Sequence, residues 1–72
     1  MASKTKTPDA TDYAVGQKIR SQRILHGLTQ IDLGEKVGIT FQQIQKYEKG
    51  SNRVSAGRLK QIAETLQVPI FL

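Results

Sequence analysis

Residues 41–49 combine side-chain types and a spacing that could contact the edges of nucleic-acid bases. At about 100° per residue in a helix, one face collects an aromatic ring, two amides and two ammonium groups. These side chains belong to Phe41, Gln42, Gln45, Lys46 and Lys49. An amide can pair bidentately with adenine, an ammonium group can donate to guanine, and an aromatic ring can touch a thymine methyl. No carboxylate lies on this face to repel phosphate, whereas a merely solvated face would more often mix both charge signs.

The net charge places a second constraint on the partner. Eleven Lys and Arg residues against six Asp and Glu give a formal charge of +5 in 72 residues. Within residues 1–12, two lysines and two aspartates cancel, so the whole excess falls in residues 13–72. A folded surface that binds a polyanion explains this distribution better than a basic tail does. The remaining alternative is a face kept positive for solubility.

Chain length and residue usage exclude several classes of protein. Seventy-two residues make one small domain, and the sequence holds no cysteine and one histidine. Disulfides, zinc sites and thiol catalysis are therefore not expected, nor is any other metal or cofactor. No residues place a base beside a nucleophile, and so short a chain has little room for a substrate pocket. We expect a cytoplasmic module that is not an enzyme, with no membrane span and no small-molecule ligand.

The beginning of the chain divides into an arm and a first helix. Residues 1–12 are predicted to be a disordered N-terminal arm, because they contain almost nothing to bury. A helical domain follows over residues 13–72, with no strand-length alternation of apolar and polar residues. Its first helix is predicted from about residue 13 to residue 26, capped by Thr11 or Asp12 and stopped by Gly27.

Capping residues and glycines place three further helices. The second helix is predicted to open at Thr29 and the third at Thr40, each with an acidic or amide residue three positions later, as in a capping box. Gly38 and Gly50 end these two helices. Ser55 caps a fourth helix that runs to about residue 66, with apolar residues at helical spacing.

Two glycines predict a steep crossing of the second and third helices over a tight turn. Gly38 allows a positive φ in a turn too short for a residue with a Cβ atom. Gly34 costs about 1 kcal/mol of helix propensity relative to Ala, so its presence predicts a backbone that approaches closely there. A different small bundle with glycine-ended helices remains the alternative at this point.

One tract carries a family resemblance: Gln30-x-x-Leu33-Gly34-x-x-Val37-Gly38-Ile39, followed by Ile44 and Tyr47. It resembles the helix-turn-helix of lambda-repressor-like (Cro/CI, XRE-type) DNA-binding domains, and the likeness extends over roughly residues 15–70. The resemblance implies an all-α fold, a compact bundle of four to five short helices with the helix-turn-helix at about residues 29–49. Pro69 could begin the fifth helix. In that case the chain either pairs through its apolar C-terminal end or is a truncated fragment of a longer regulator. We favour the fragment.

The resemblance also implies roles for individual residues. In the resembled domains the N-terminal part of the third helix enters the major groove. This position implies that bases are read by Phe41, Gln42, Gln45 and Lys46. Phosphate contacts are implied for Gln30, Thr40, Lys49, Asn52 and Arg53. A structural ion pair linking the first and third helices is implied between Arg23 and Glu48.

Three of these roles have a structural alternative. Phe41 either contacts a thymine methyl or packs on the second helix, and we weigh the two evenly. Thr40 has helix capping as its main task. Asn52 could be a turn residue that tolerates left-handed backbone geometry.

The function implied by the resemblance is a sequence-specific transcriptional regulator, more often a repressor. Its partner would be double-stranded DNA, read as a homodimer on a palindromic site and associated with the nucleoid when bound. The alternative is a protein-interaction module such as an antitoxin or an adaptor, because the same fold serves either role. The absence of acidic residues and the glutamines on the outer face of the third helix favour DNA.

Overall fold

A computed structural model describes residues 9–69, which form four helices in chain order. They are α1 (Ala10–Leu25), α2 (Gln30–Val37), α3 (Phe41–Lys49) and α4 (Ala56–Leu66). Over this range there is no strand, so the all-α prediction is confirmed. Residues 70–72 of the predicted fifth helix lie outside the described residues, as do residues 1–8 of the predicted arm.

The start of α1 corrects the sequence prediction. The helix begins at Ala10, three residues early, and its N-cap is Asp9 rather than Thr11 or Asp12. The Asp9 carboxylate accepts from the backbone N–H of Thr11 and of Asp12, and the Asp12 carboxylate accepts from the N–H of Asp9. This reciprocal capping box orders residues 9–12. The predicted boundary of the arm at residue 12 is therefore wrong.

The other three helices begin at the residues that the sequence indicates. Thr29 and Asp32 form a full capping box at α2, while Thr40 and Ser55 cap α3 and α4. At α3 the box is only half formed, because Gln43 supplies its backbone N–H to Thr40 and its side chain does not return a contact.

The core lies where the four helices meet, and α3 packs against both α1 and α2. Its buried side chains are Ile19, Leu33, Ile44, Tyr47, Leu59, Ile62 and Leu66. Since α3 contributes two of them, its inner face is fixed by burial of apolar surface and its outer face is left to solvent.

The turn between α2 and α3 has the geometry that its glycines predict. A Cβ atom on Gly34 would lie 2.7 Å from the carbonyl oxygen of Ile39, so the two backbones touch at this point. Gly38 has φ 91°, in the left-handed region that favours glycine. The close approach brings the start of α3 against α2 and sets the angle at which its outer face projects.

Candidate nucleic-acid interface

The outer face of α3 is presented to solvent as the helical spacing predicts. Ile44, Tyr47 and Glu48 are buried. The exposed residues of the helix are Phe41, Gln42, Gln45, Lys46 and Lys49. We call these five residues the recognition face. It carries two amides, two lysines and a ring that is 40% exposed, and no carboxylate.

The residues at either end of α3 have different local roles. Thr40 accepts the N–H of Gln43 at 3.2 Å through its hydroxyl, so this oxygen caps the helix. Lys49 is the last residue of α3 and is exposed. Asn52 is exposed and does not have left-handed geometry, because Gln67 is the sole non-glycine residue with positive φ in the range 9–69. Asn52 lies in the bend between α3 and α4, as the alternative predicts, but the left-handed backbone geometry that it allowed is not adopted.

An ion pair joins α1 to α3 beneath the recognition face. Arg23 Nε lies 2.6 Å from Glu48 Oε2, and Arg23 Nη2 donates to Glu48 Oε1 at 3.1 Å. The third guanidinium nitrogen donates to the carbonyl oxygen of Leu28 at 2.8 Å. The exposed fractions are 11% for the Arg23 side chain and 3% for Glu48. Because both charges are largely removed from water, this pair fixes geometry rather than offering a charge to a ligand.

Gln30 belongs to the same network, which the sequence did not predict. Its Nε2 donates to Glu48 Oε1 at 3.1 Å, although the two residues are 18 positions apart. The Gln30 amide is therefore held at the first position of α2, and its second N–H takes no part in this contact. From α1, Gln17 Nε2 donates to the backbone oxygen of Glu48 at 3.3 Å. The carboxylate and the backbone oxygen of Glu48 thus orient side chains from both α1 and α2.

Arg53 has carboxylate partners that the sequence analysis did not assign to it. Its Nε and Nη2 donate to the two oxygens of Asp12 at 3.0 and 3.2 Å, and Nη2 lies 3.5 Å from Asp9. These contacts raise the pKa of Arg53. The guanidinium is 58% exposed, yet two carboxylates offset its charge. The excess positive charge therefore lies less at Arg53 than the sequence alone indicated.

Acid is expected to destabilise the domain below about pH 4. The Arg53 guanidinium holds the pKa of Asp12 below its ordinary value of 3.8, and the Thr29 backbone N–H does the same for the pKa of Asp32. Because each folded pKa lies below the unfolded one, the stabilisation is present above the unfolded value and is lost as pH falls through the folded value.

Thermal melts followed by circular dichroism at pH values from about 2 to 6 measure this dependence. Asp12→Asn should make the melting temperature less sensitive to acid, since the residue can no longer take up a proton. A wild-type melting temperature that stays constant down to about pH 2 would contradict the prediction.

A groove lined by polar and charged residues lies beside the recognition face, and the sequence did not predict it. It has a volume of about 320 Å³ and is bounded by α1, the start of α2 and the second half of α3. Its lining residues are Tyr13, Gln17, Arg20, Gln30, Gln45, Glu48 and Lys49. The signal that could have found it is the spacing of the three α1 residues, which are four and three positions apart and so share one helix face.

The part of the chain that the structure describes holds neither a metal-binding cluster nor a membrane-spanning helix. Between residues 9 and 69, no three His, Cys, Asp or Glu side chains are grouped so that they could hold a metal ion. Over the same range, each helix is too short or too polar to cross a membrane.

The fold and the tract that crosses the tight turn can be compared with known families. The sequence profile of the helix-turn-helix family matches residues 19–72. The chain belongs to the helix-turn-helix family. This membership confirms the resemblance read from residues 30–47. The curated relatives are named HTH-type transcriptional regulators, a non-enzymatic class, which agrees with the expectation that the chain is not an enzyme.

Relatives of this helix-turn-helix chain are known from sequence and from structure. An uncharacterized HTH-type transcriptional regulator of Sinorhizobium medicae is 53% identical over 70 residues, which cover 97% of this chain and 50% of the relative. The chain thus spans about half the length of the curated relatives it matches. The restriction-modification controller protein C.AhdI of Aeromonas hydrophila is 27% identical with a TM-score of 0.79, covering 83% of this chain and 87% of that one. The DNA-binding domain of BldD is 29% identical with a TM-score of 0.73, covering 86% and 93%.

Proposed function

We propose that this chain is the DNA-binding part of a sequence-specific transcriptional regulator that acts as a repressor. The observation that carries the proposal is the recognition face, where amides and lysines without a carboxylate project from a helix whose other face is buried. Its relatives are named transcriptional regulators, and a structural neighbour is a DNA-binding domain. These names describe other proteins, so they support the proposal independently of the recognition face.

In this proposal the first half of α3 lies in the major groove. Gln42, Gln45 and Lys46 donate to base edges, and the partly exposed ring of Phe41 touches a thymine methyl. The exposed end of α3 at Lys49 approaches a backbone phosphate.

Other phosphate contacts flank the helix. Gln30, held by Glu48, donates its second N–H to a phosphate at the start of α2, where backbone N–H groups also favour an anion. Thr40, just before α3, and Asn52, three residues after its end, contact phosphates through uncharged side chains. Arg53 contributes less than Lys49, because Asp12 and Asp9 already offset its charge.

A homodimer is part of the proposal because one α3 reads few base pairs. A nine-residue helix is about 13 Å long, which limits its contacts to a short stretch of the major groove. Two copies related by twofold symmetry would place their recognition faces about 34–36 Å apart on a palindromic site. The protein would then act on the nucleoid in the cytoplasm.

Selection from a randomised DNA pool, followed by salt titration of the best site, tests the proposal. We expect one enriched, palindromic sequence and an affinity that falls with salt, with a slope set by the number of phosphate contacts. A pool with no enriched sequence, or a log–log slope near zero, would instead favour the protein-interaction module.

Substitutions on the recognition face are expected to separate base reading from phosphate binding. Gln42→Ala and Lys46→Ala should relax base preference at particular positions by about 1–3 kcal/mol each. Gln30→Ala should weaken binding to every sequence alike, because a phosphate contact carries no base information.

Competition binding to the enriched site and its single-base variants measures both effects. Lys60→Ala is the control, because it removes an exposed cation from α4 rather than from α3 and should leave base preference unchanged. If Gln30→Ala altered base preference while Gln42→Ala weakened all sites equally, the assigned roles would be reversed.

A further inference from the structure

We propose that α1 carries a phosphate-binding site of its own, formed by Tyr13, Gln17 and Arg20 and completed by Lys49 of α3. The ligand is a phosphodiester of the DNA backbone, next to the stretch that α3 reads. The inference rests on the proposed function and extends it, since the DNA contacts predicted from the sequence all lie between residues 30 and 53.

The position of the groove connects α1 to the proposed DNA surface. Gln45 of the recognition face and Gln30 at the start of α2 both line it, together with Tyr13, Gln17 and Arg20 from α1. A DNA strand whose phosphate is bound by Gln30 therefore passes the mouth of the same groove. At about 320 Å³ the groove is large enough for a phosphodiester and its neighbouring sugar atoms.

The charges around the groove favour an anion. Arg20 and Lys49 are exposed, and neither has an acidic partner within 4.0 Å among residues 9–69. Glu48 is the one carboxylate in the lining, and its exposed fraction is 3%. Both of its oxygens accept from Arg23, and one accepts from Gln30 as well. Its negative charge is thus offset within the protein, and the two outer cations are left without a counter-charge.

The α1 residues supply donors of the right kind for a phosphodiester. An arginine can donate two parallel N–H groups to two phosphate oxygens. Gln17 uses one N–H of its amide on the Glu48 backbone oxygen and has a second N–H for a ligand. Tyr13 is 57% exposed and carries a hydroxyl that can donate to the same anion. All three lie on one stripe of α1, so they present these donors together.

Salt titration of an Arg20→Ala variant tests the site. Loss of one phosphate contact should reduce the slope of log affinity against log salt by about 0.9. Raising the salt concentration from about 50 to about 200 mM should then reduce the ratio of wild-type to variant affinity about 3.5-fold. The enriched site and an unrelated duplex should lose affinity by the same factor, because phosphates carry no sequence information. Arg20→Lys should keep the wild-type slope.

Lys18→Ala is the matched control. Lys18 is an exposed cation on the same helix, about 200° around from Arg20, and it does not line the groove. Its removal lowers the net charge by the same amount and should leave the slope close to wild type. Melting temperatures should be unchanged in both variants, because both side chains are exposed and without ion-pair partners between residues 9 and 69.

The outcomes separate this inference from the proposed function. If wild type selects a sequence and Arg20→Ala keeps the full slope, or loses no more than Lys18→Ala, the α1 site is wrong and the proposed function stands. If wild type binds no DNA, both are wrong. A slope reduction specific to Arg20→Ala supports both.

Discussion

Gly16→Ala is expected to lower the free energy of unfolding by about 3 kcal/mol, at the upper end of the usual cost of overpacking. A Cβ atom on Gly16 would overlap the carbonyl oxygen of Tyr47 and lie 2.7 Å from that of Glu48. Both partners are backbone atoms in the last turn of α3, so they cannot rotate away as a flexible side chain would. The methyl group would push α1 and α3 apart and strain the ion pair between Arg23 and Glu48.

Gly57→Ala is the control for this substitution. Gly57 lies in α4, is exposed, and has no heavy atom within 4 Å of an added Cβ. There the same change should stabilise the fold by about 0.5–1 kcal/mol, because alanine loses less conformational entropy in a helix. Urea unfolding followed by circular dichroism measures both free energies. Equal effects of the two substitutions would show that the α1–α3 contact is not close.

Glu48→Gln is expected to cost about 3–5 kcal/mol, because it leaves a largely buried arginine without its counter-charge. The substitution keeps the shape of the side chain and removes its charge, so Arg23 loses a charge-assisted partner while 11% exposed. Gln30 would also lose its carboxylate acceptor. Binding should weaken for every DNA sequence alike, while the ranking of sequences should be retained.

The same substitution at Glu64 provides the comparison. Glu64 pairs with Lys60 at 3.6 Å on the surface of α4, where the side chains are 66% and 65% exposed. An exposed pair at this spacing contributes only about 0.3–0.5 kcal/mol, so Glu64→Gln should be nearly silent. An unchanged melting temperature in Glu48→Gln, together with altered sequence preference, would contradict the structural role of Glu48.

Local chemistry explains which features could be predicted from the sequence. Thr29, Thr40 and Ser55 mark helix starts because a capping oxygen acts on an N–H only two or three residues away. Gly34 was predictable as a close backbone approach because its helix-propensity cost needs a compensating reason. The recognition face follows from the spacing of residues 41–49, since burial of Ile44 settles which side of α3 faces out.

Two of the features that sequence reasoning missed depend on residues far apart in the chain, and the other two are helix caps. The sequence predicts a phosphate contact for Arg53 but not its ion pair with Asp12, which is 41 positions away. The sequence predicts a disordered arm that includes Asp9, yet Asp9 is the N-cap of α1. Gly16 carries the same helix-propensity signal as Gly34, but the sequence does not show that its partner is the backbone of Tyr47 and Glu48, more than 30 positions away. Gln67 ends α4 at φ 58°, where a glycine would be the usual sequence signal.

Sequence patterns are enough to place the four helices to within a few residues, to indicate the family and to predict the composition of the recognition face. These depend on caps, glycines and apolar spacing, which act over one or two helical turns. Which charges are available to a ligand depends on how the helices pack. The packing pairs Arg53 with Asp12 and Asp9, and it leaves Arg20 beside Lys49 on a shared groove. The reason is physical: a charge is neutralised by whatever lies within a few ångströms in space, and that neighbour is set by packing.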